Sequence, residues 1–254
     1  MLEMKKLSVG YPGHPVLQNI SISVPGGAVT VIAGPNGCGK STLLKALTGI
    51  LPATGSVFLD RQELMTLGRR ERARKVAFLP QNRQVPEITV NNLVLHGRFP
   101  YLSYPRRYRQ EDYRIAEAAM EKMGVAELAE RSLITLSGGQ RQKVYIAMAL
   151  AQDTPVVLLD EPNAFLDIAH QLQLMEQAKI LAGEGKTVVL VLHDLCLALE
   201  YADSLAVLAE GTCLFQGNPE AAFLSGCLEK AFGVKVRRFS TPEGWKYHYG
   251  KHIP

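Results

Sequence analysis

The sequence lacks any apolar run that could cross a membrane, which requires about 20 consecutive apolar residues. It also lacks a C-x-x-C pair, and its four cysteines, Cys38, Cys196, Cys213 and Cys227, are widely spaced. No secretory signal peptide is recognisable at its start, so we expect a reduced, cytosolic compartment and no disulfide framework. If the protein acts at a membrane, a different chain must span it.

A strong charge of either sign is also missing. The net charge of +4 and the isoelectric point near 8.8 are mild for a protein that binds nucleic acid, and they are compatible with a position against an anionic membrane surface. With 254 residues, 47% of them hydrophobic, the chain can bury one large core together with a smaller lobe. We therefore expect a main domain that carries an inserted subdomain.

Residues 34–42, with the sequence GPNGCGKST, match the phosphate-binding pattern G-x-x-x-x-G-K-[ST]. The apolar, β-branched run 28–33 predicts a strand before this loop, and the periodicity of residues 41–51 predicts a helix after it. Glycines let the backbone turn its N–H groups toward phosphate oxygens, and a helix start favours an anion. We therefore predict a nucleotide site here. Its predicted contacts are Gly34, Pro35, Asn36, Gly37, Cys38, Gly39, Lys40, Ser41 and Thr42.

Charged and hydroxyl groups complete this predicted site. Lys40 would neutralise the β- and γ-phosphates, and the Ser41 hydroxyl would bind Mg²⁺. Asp160 ends the apolar run 156–160 and is the expected carboxylate at the magnesium ion. Glu161 follows at once and can polarise an attacking water, because an ionised glutamate is available at neutral pH. This adjacent carboxylate predicts hydrolysis rather than binding alone.

A second informative run is LSGGQ at residues 136–140, which opens a predicted helix that extends to about residue 152. Ser137 and Gln140 have the spacing of a capping box. Gly138 and Gly139 leave the helix start free of side chains, which makes it another place that favours an anion. The chain therefore has two predicted phosphate-seeking helix starts for what looks like a single nucleotide.

The order of predicted elements indicates an α/β protein with a nucleotide-binding P-loop core and a mostly parallel sheet. Residues 1–88 and 153–254 are expected to form the ATPase core, and the alternating N-terminal run predicts an antiparallel β subdomain within it. Residues 89–152 are expected to form a helical subdomain that carries LSGGQ, and Thr89 is its first predicted cap.

The composition of two stretches does not decide between a functional and a structural role. Residues 97–108, GRFPYLSYPRRY, are too rich in proline and aromatic residues for a regular element, and they suit either a partner surface or a loop packed on its own domain. The tail after residue 240 carries His248 and His252 in a His-x-x-x-His pair. No carboxylate or cysteine stands nearby to complete a metal site, so we expect a packing segment there.

In their order and spacing, residues 34–42, 136–140 and 156–162 resemble the ATP-binding cassette (ABC) ATPases, and the resemblance extends along nearly the whole chain. Tyr11 is placed like the family's adenine-stacking aromatic residue. His193 resembles the switch histidine at the γ-phosphate, and Asp167 resembles the aspartate of the loop after the magnesium-site strand. The resemblance implies catalytic roles for Glu161, His193, Gln81 and Lys40. It implies nucleotide contacts at Tyr11, Ser137, Gly138, Gly139 and Gln140. It implies metal contacts at Ser41, Gln81 and Asp160.

The resemblance further implies ATP and Mg²⁺ as cofactors and a head-to-tail pair of cassettes. In that pair ATP lies between Lys40 of one copy and Ser137 to Gly139 of the other, which would explain the two helix starts. Residues 34–39, 97–101 and 165–171 are similar to those of importer ATPases for iron–siderophore complexes, haem and cobalamin. Two permease subunits and a solute-binding protein would complete the complex at the cytoplasmic face of the inner membrane, with no nucleic-acid partner.

Several alternatives stay open. The cargo could be an iron–siderophore complex, haem, cobalamin or an oxyanion such as molybdate, and a soluble iron–sulfur assembly ATPase has a similar length. Asn163 and Phe165 depart from the commonest family pattern, which bears on communication between the two copies rather than on chemistry. Inside the phosphate loop, Cys38 is either a small residue tolerated in a tight turn or a thiol whose pKa the backbone amides and Lys40 lower.

Overall fold

Strands and helices alternate along most of the chain, as the hydrophobic patterns predict. The computed structural model describes residues 1–164, 166–242 and 244–251. The strands are β1 (Leu2–Tyr11), β2 (His14–Val24), β3 (Val29–Ala33), β4 (Ala53–Leu59), β5 (Gln62–Glu63), β6 (Val76–Leu79), β7 (Val156–Asp160), β8 (Thr187–Val191), β9 (Ser204–Ala209), β10 (Thr212–Gly217), β11 (Val234–Thr241) and β12 (Gly244–Lys251). The helices are α1 (Lys40–Leu47), α2 (Arg69–Ala73), α3 (Val90–His96), α4 (Gln110–Lys122), α5 (Gly138–Ala151), α6 (Ile168–Gly183), α7 (Leu195–Tyr201), α8 (Pro219–Leu224) and α9 (Cys227–Phe232).

These elements group into two compact units. The first contains residues 1–66 and the described residues from 177 onward, and the second contains residues 67–176. The boundaries predicted for a helical subdomain, 89–152, stay a prediction. Within the described residues, no helix has both the length and the apolar character that crossing a bilayer requires.

An antiparallel sheet occupies the N-terminal part of the first unit. Its strand order is β2-β1-β4-β5, and β1 pairs with both β2 and β4. Leu2, Met4, Leu7 and Val9 of β1 are buried, which is the alternation of a strand with one face in the core, adjusted by bulges along the strand. The predicted antiparallel subdomain is confirmed.

Parallel strands form the second sheet region of the first unit. Strand β3 lies between β8 and β9 and runs parallel to both, and β10 closes the hairpin predicted with β9. Every residue of β3 and β8 is buried, as expected for parallel strands covered on both faces. Because parallel strands end at the same sheet edge, the loops that follow β3 and β8 emerge side by side.

The second unit combines a parallel strand pair, β6 and β7, with the helices α3, α4 and α5. Thr89 caps α3 as predicted, since its hydroxyl accepts a hydrogen bond of 3.3 Å from the backbone N–H of Asn92. Between the helices, Arg98 donates to Asp112 at 3.0 Å, and both side chains are only 8% exposed. Arg98 also donates to the Ala151 carbonyl at 3.0 Å. This ion pair therefore ties the start of α4 to the end of α5.

Residues 97–108 divide into a packed half and an exposed half. The two alternatives predicted from the sequence, a loop packed on its own domain and a partner surface, therefore each describe one half. In the packed half, the Arg98 guanidinium lies 4.0 Å from the ring centroid of Tyr101, whose hydroxyl donates to the Asp153 carbonyl at 3.2 Å. Arg74 donates to the Pro100 carbonyl at 2.9 Å. Farther along, the Tyr104 side chain is 96% exposed. The second half is therefore exposed enough to meet a partner.

The C-terminal tail forms the hairpin β11–β12, which the sequence did not predict. The ring of Tyr247 packs edge-on against Phe223 with centroids 5.7 Å apart, and Lys246 donates to Glu200 of α7 at 2.7 Å. The described part of the tail therefore packs on its own unit, as expected. His252, the second histidine of the predicted pair, lies outside the described residues.

Breaking the buried ion pair should destabilise the second unit. We expect Arg98→Leu to cost about 3 kcal/mol, because it leaves the Asp112 carboxylate buried without its charge partner. Urea unfolding followed by circular dichroism measures this as a lower midpoint. Arg98→Leu combined with Asp112→Leu should recover much of the loss.

A matched control lies on the surface of α4, where Arg114 pairs with Glu111 at 2.7 Å with both side chains exposed. Arg114→Leu should leave the midpoint unchanged, because exposed ion pairs contribute little. Equal losses for Arg98→Leu and Arg114→Leu would contradict a stabilising role for the buried pair.

Candidate functional site

The phosphate loop leaves the end of β3 and runs into α1, in the first unit, as predicted. Two of its glycines are required by close packing. A Cβ atom at Gly34 would lie 2.2 Å from the Leu208 carbonyl oxygen, and one at Gly39 would lie 2.6 Å from the side chain of Leu17. Gly39 also has a φ of 107°, which side chains rarely tolerate. The backbone can therefore hold a tight cradle that no other residue type would allow at these positions.

Lys40 points back into this cradle. Its ammonium group donates to the Gly34 carbonyl at 2.7 Å and to the Pro35 carbonyl at 2.9 Å, and the residue is only 6% exposed. Ser41 and Thr42 follow in the first turn of α1, half-buried and buried respectively. A positive charge, the start of a helix and a loop of glycines therefore coincide, which is the combination that binds phosphate.

His193 lies at the same sheet edge as the phosphate loop. Strands β3 and β8 are parallel with Ile32 opposite Val191, so Gly34 and His193 both follow the carboxyl ends of adjacent strands. Asp194 caps α7 by accepting from the backbone N–H of Cys196 at 2.8 Å. Tyr11, at the end of β1, is 45% exposed and lines an open groove of about 640 Å³.

In the second unit, the predicted carboxylates lie at the carboxyl end of the parallel pair β6 and β7. Leu79 of β6 stands opposite Leu159 of β7, so Gln81 and Glu161 emerge together. The Gln81 amide donates a hydrogen bond to the Glu161 carboxylate. Asp160 is 1% exposed, and Glu161 has a left-handed φ of 49°, unusual for a residue with a side chain. The predicted metal ligand, Asp160, is therefore buried, whereas the predicted base, Glu161, leaves the strand conformation at the next residue.

Three residues that the sequence did not single out pack behind this pair. The Gln142 amide donates to the Pro162 carbonyl at 2.6 Å and accepts from the Arg83 guanidinium at 2.6 Å. The Tyr145 hydroxyl donates to the Gln84 carbonyl at 2.7 Å, and the Arg83 guanidinium lies 4.4 Å from the Tyr145 ring centroid. Burial lowers the pKa of Arg83 and raises the pKa of Tyr145. Only the helical position of Gln142, two residues beyond LSGGQ, could have drawn attention to it.

The LSGGQ run begins α5 in the predicted way. The Ser137 hydroxyl accepts from the Gln140 backbone N–H at 3.2 Å, and the Gln140 side chain accepts from the Ser137 backbone N–H at 3.0 Å. This reciprocal pair confirms the capping box. Gly138 and Gly139 form the first turn of the helix between these two residues.

A cleft of about 510 Å³ opens beside this helix start, lined by Ser137, Gly139 and Lys143 among others. Asp167 and His170 line it too. Hydrogen bonds from the backbone N–H of His170 at 2.9 Å and from its ring at 2.7 Å lower the pKa of the Asp167 carboxyl group. Phe165, noted in the sequence as a departure, lies outside the described residues.

Comparison with known proteins agrees with this geometry. The family model for ABC transporters matches residues 17–164. The chain belongs to the ABC transporter family.

Relatives and solved structures of the family align over almost all of the chain. The ferric enterobactin transport ATP-binding protein FepC of Escherichia coli (strain K12) is 42% identical over 95% of this chain and 90% of its own length. The iron(3+)-hydroxamate import ATP-binding protein FhuC of Bacillus subtilis (strain 168) is 39% identical over 95% of this chain and 91% of its own length. A metal-chelate-type ABC transporter solved in an inward-facing conformation superposes with a TM-score of 0.84, at 27% identity, covering 98% of this chain and 96% of that one.

Membership in the ABC family confirms the predicted α/β fold, the binding of a nucleotide and the class of enzyme, an ATPase coupled to transport. The side chains also suit the cofactors of such an enzyme. The cradle that only glycines fit suits a polyphosphate, and the Ser41 hydroxyl, the Gln81 amide and the buried Asp160 carboxylate are the oxygen ligands that Mg²⁺ prefers. Among the described residues, no cluster of three His, Cys, Asp or Glu side chains could hold a metal by itself.

The expectation that the surroundings of Cys38 lower its pKa is wrong. Burial of the thiol raises the pKa of Cys38 above its ordinary value of 9.0, and this effect outweighs the opposing influence of Lys40. The reason is geometric: Cys38 is 8% exposed, and the Lys40 ammonium is engaged by two carbonyl oxygens. The small buried residue is therefore the better description.

This correction predicts slow, strongly pH-dependent labelling of Cys38. Because the thiolate is the reactive form, the rate of alkylation at Cys38 should keep rising through pH 9.0 without reaching a plateau near neutral pH. Mass spectrometry of the peptide that contains Cys38 measures this rate. The same peptide in urea-unfolded protein serves as the control and should level off at a lower pH. A plateau near neutral pH in the folded protein would contradict the raised pKa.

Proposed function

We propose that the chain is the ATP-hydrolysing subunit of an importer that takes up a ferric siderophore through a partner permease. The observation that carries the proposal is the similarity, over about nine-tenths of both chains, to ATP-binding subunits named for ferric enterobactin and iron(3+)-hydroxamate import. The structural likeness to a metal-chelate-type transporter supports the same class of cargo. Its place would be the cytoplasmic face of the inner membrane, held there by the permease.

The roles of the site residues follow from their chemistry. Residues 34–42 bind the phosphates of ATP through backbone N–H groups, and Lys40 neutralises the β- and γ-phosphates. Tyr11 stacks on the base. Ser41, Asp160 and Gln81 would hold Mg²⁺, which would neutralise charge on the phosphates.

Hydrolysis depends on residues at the ends of β7 and β8. Glu161 accepts the proton of the attacking water, and His193 hydrogen-bonds the γ-phosphate. The Gln81–Glu161 hydrogen bond engages the base through the same side chain that is proposed to contact the metal. The Gln81 amide therefore orients the carboxylate of the proposed base.

A second copy of the chain completes the site. The start of α5 presents Ser137, Gly138 and Gly139 with a reciprocal cap that fixes their backbone. Such a helix start favours an anion, and the phosphate loop of the same chain already provides a full cradle for its own nucleotide. We infer that Ser137 to Gln140 of one copy close on the ATP held by the other, and that hydrolysis reopens the pair.

Uptake by living cells tests the cargo and the catalytic role together. Cells that carry the chain with its permease and binding protein should accumulate radiolabelled ferric siderophore. Glu161→Gln should abolish uptake and lower ATP turnover by roughly 100-fold or more, because the base is lost while the phosphate loop is intact. The variant should still bind ATP and should accumulate as a dimer in size-exclusion chromatography.

The same cells discriminate the alternatives. Uptake of haem, cobalamin or molybdate in place of the ferric siderophore would reassign the cargo. ATPase activity that no membrane protein stimulates would favour a soluble iron–sulfur assembly ATPase. Full turnover in Glu161→Gln would remove Glu161 as the base.

The exposed half of residues 97–108 is the proposed docking surface for the permease. Tyr104 extends into solvent, and the Arg106 guanidinium lies 4.9 Å from the ring centroid of the half-exposed Phe99. Exposed tyrosine and arginine are residues that interfaces favour. Tyr101, by contrast, is held between arginines of its own unit and is a poor choice for testing this surface.

Tyr104→Ala combined with Arg106→Ala should therefore uncouple transport, with uptake lowered at least tenfold and the ATPase activity of the isolated subunit unchanged. A matched control, Tyr249→Ala combined with Arg237→Ala, removes the same residue types from two exposed positions of the C-terminal hairpin and should leave uptake unchanged. Normal uptake by the Tyr104 and Arg106 variant would place the permease contact elsewhere.

A further inference from the structure

A closed ring of contacts links the predicted base to the helix that LSGGQ begins. Starting from Glu161, the chain continues to Pro162, whose carbonyl accepts from Gln142 at 2.6 Å. Gln142 in turn accepts from Arg83 at 2.6 Å. Arg83 lies two residues after Gln81, which donates back to the Glu161 carboxylate. All members of the ring belong to the second unit.

We propose that Gln142 and Arg83 are positioning residues that set the place of Glu161 and couple it to the start of α5. The inference rests on the proposed role of Glu161 as the base.

Gln142 is suited to this role because both ends of its amide are engaged. It is only 3% exposed, its N–H₂ group donates to a backbone carbonyl, and its oxygen accepts from a charged donor. Buried hydrogen bonds of this kind are costly to break, because the groups left behind lose water as well as their partner. An apolar residue at 142 would strand the Pro162 carbonyl and the Arg83 guanidinium together.

Arg83 is held as firmly as Gln142. Its guanidinium stacks 4.4 Å from the ring centroid of Tyr145, and Tyr145 binds the Gln84 carbonyl at 2.7 Å. The segment that carries Gln81 is therefore fixed to α5 at two neighbouring points. A shift of α5 would be passed to Gln81 along one path and to Pro162 along the other.

The consequence for catalysis comes from the backbone at Glu161. Glu161 has a left-handed φ of 49° and directly precedes a proline, whose ring fixes its own φ, so few backbone torsions are free to absorb a displacement of the Pro162 carbonyl before it reaches Glu161. Misplacing a catalytic group by about 1 Å can cost on the order of 100-fold in rate. Binding of an anion at the start of α5 would thereby change the position of Glu161, the proposed base.

The same helix offers a matched control. Gln152, just beyond the end of α5, also donates its amide to backbone carbonyls, those of Ala73 at 2.5 Å and Val76 at 3.2 Å. These contacts resemble those of Gln142 in type, but they lie ten residues farther along and reach the start of β6 rather than residues 81–84 or 161–162. A purely structural role should make Gln142 and Gln152 equivalent.

The test measures ATP hydrolysis by the purified chain and ATP binding by a fluorescent analogue. Gln142→Leu should lower kcat at least tenfold while KM and the dissociation constant for the analogue change less than twofold. Gln152→Leu should keep kcat within twofold even where it lowers the unfolding midpoint. Arg83→Gln, a milder change at a half-buried position, should lower kcat in the same way and serves if Gln142→Leu does not fold.

A double-variant cycle separates positioning from general weakening. Arg83→Gln with Gln142→Leu should have no lower kcat than the worse single variant, because both act through one ring. Gln142→Leu with Gln152→Leu should be additive. Unchanged kcat in Gln142→Leu or in Arg83→Gln, or losses that multiply in their double variant, would overturn the inference. Turnover that survives Glu161→Gln would instead overturn the proposed function on which it rests.

Discussion

The site depends on one property of parallel strands, which is that neighbours end at the same edge of the sheet. In the first unit this property places the phosphate loop after β3 beside His193 after β8. In the second unit it places Gln81 after β6 beside Asp160 and Glu161 at the end of β7. Residues far apart in the chain thus become neighbours through the strands that precede them, and Gln81 and Glu161 are also joined by a hydrogen bond. Strands β3, β7 and β8 are fully buried, so their ends are as rigid as the core behind them.

Glycines and charged groups then make the loops at these strand ends able to bind phosphate. Gly34 and Gly39 permit a close approach to Leu208 and Leu17 that a single methyl group would prevent, and the carbonyls of Gly34 and Pro35 hold the Lys40 ammonium. At the start of α5 the same principle recurs with a capping box in place of the lysine. The first helix start holds the buried Lys40 inside its own loop, whereas the second has Lys143 only along the cleft beside it. That difference suits a tight primary site and a weaker, reversible second contact.

Much of this could be predicted from the sequence, because each motif has a local physical cause. The strand before the phosphate loop, the cap at Thr89 and the reciprocal pair Ser137 and Gln140 depend on residues near one another in the chain. What the sequence missed depends on distant partners. The proposed role of Gln142 depends on its hydrogen bonds to Pro162 and Arg83, and no sequence pattern within α5 distinguishes this residue.

The Cys38 prediction failed for a related reason. The sequence shows which charged groups are near the thiol, but it does not show how deeply the thiol is buried, and burial decided the direction of its pKa. The C-terminal hairpin escaped prediction because its strands are held by contacts to α7 and α8 rather than by a strong alternation of their own. The roles assigned to individual site residues stay predictions.

The left-handed backbone at Glu161 has a consequence for how such a chain can change over time. An ordinary side chain in that conformation costs about 1 kcal/mol, and glycine would avoid the cost. Selection for folding alone would therefore favour glycine at position 161. If Glu161 is the base, as proposed, the glutamate exchanges that much stability for a carboxylate at the end of β7.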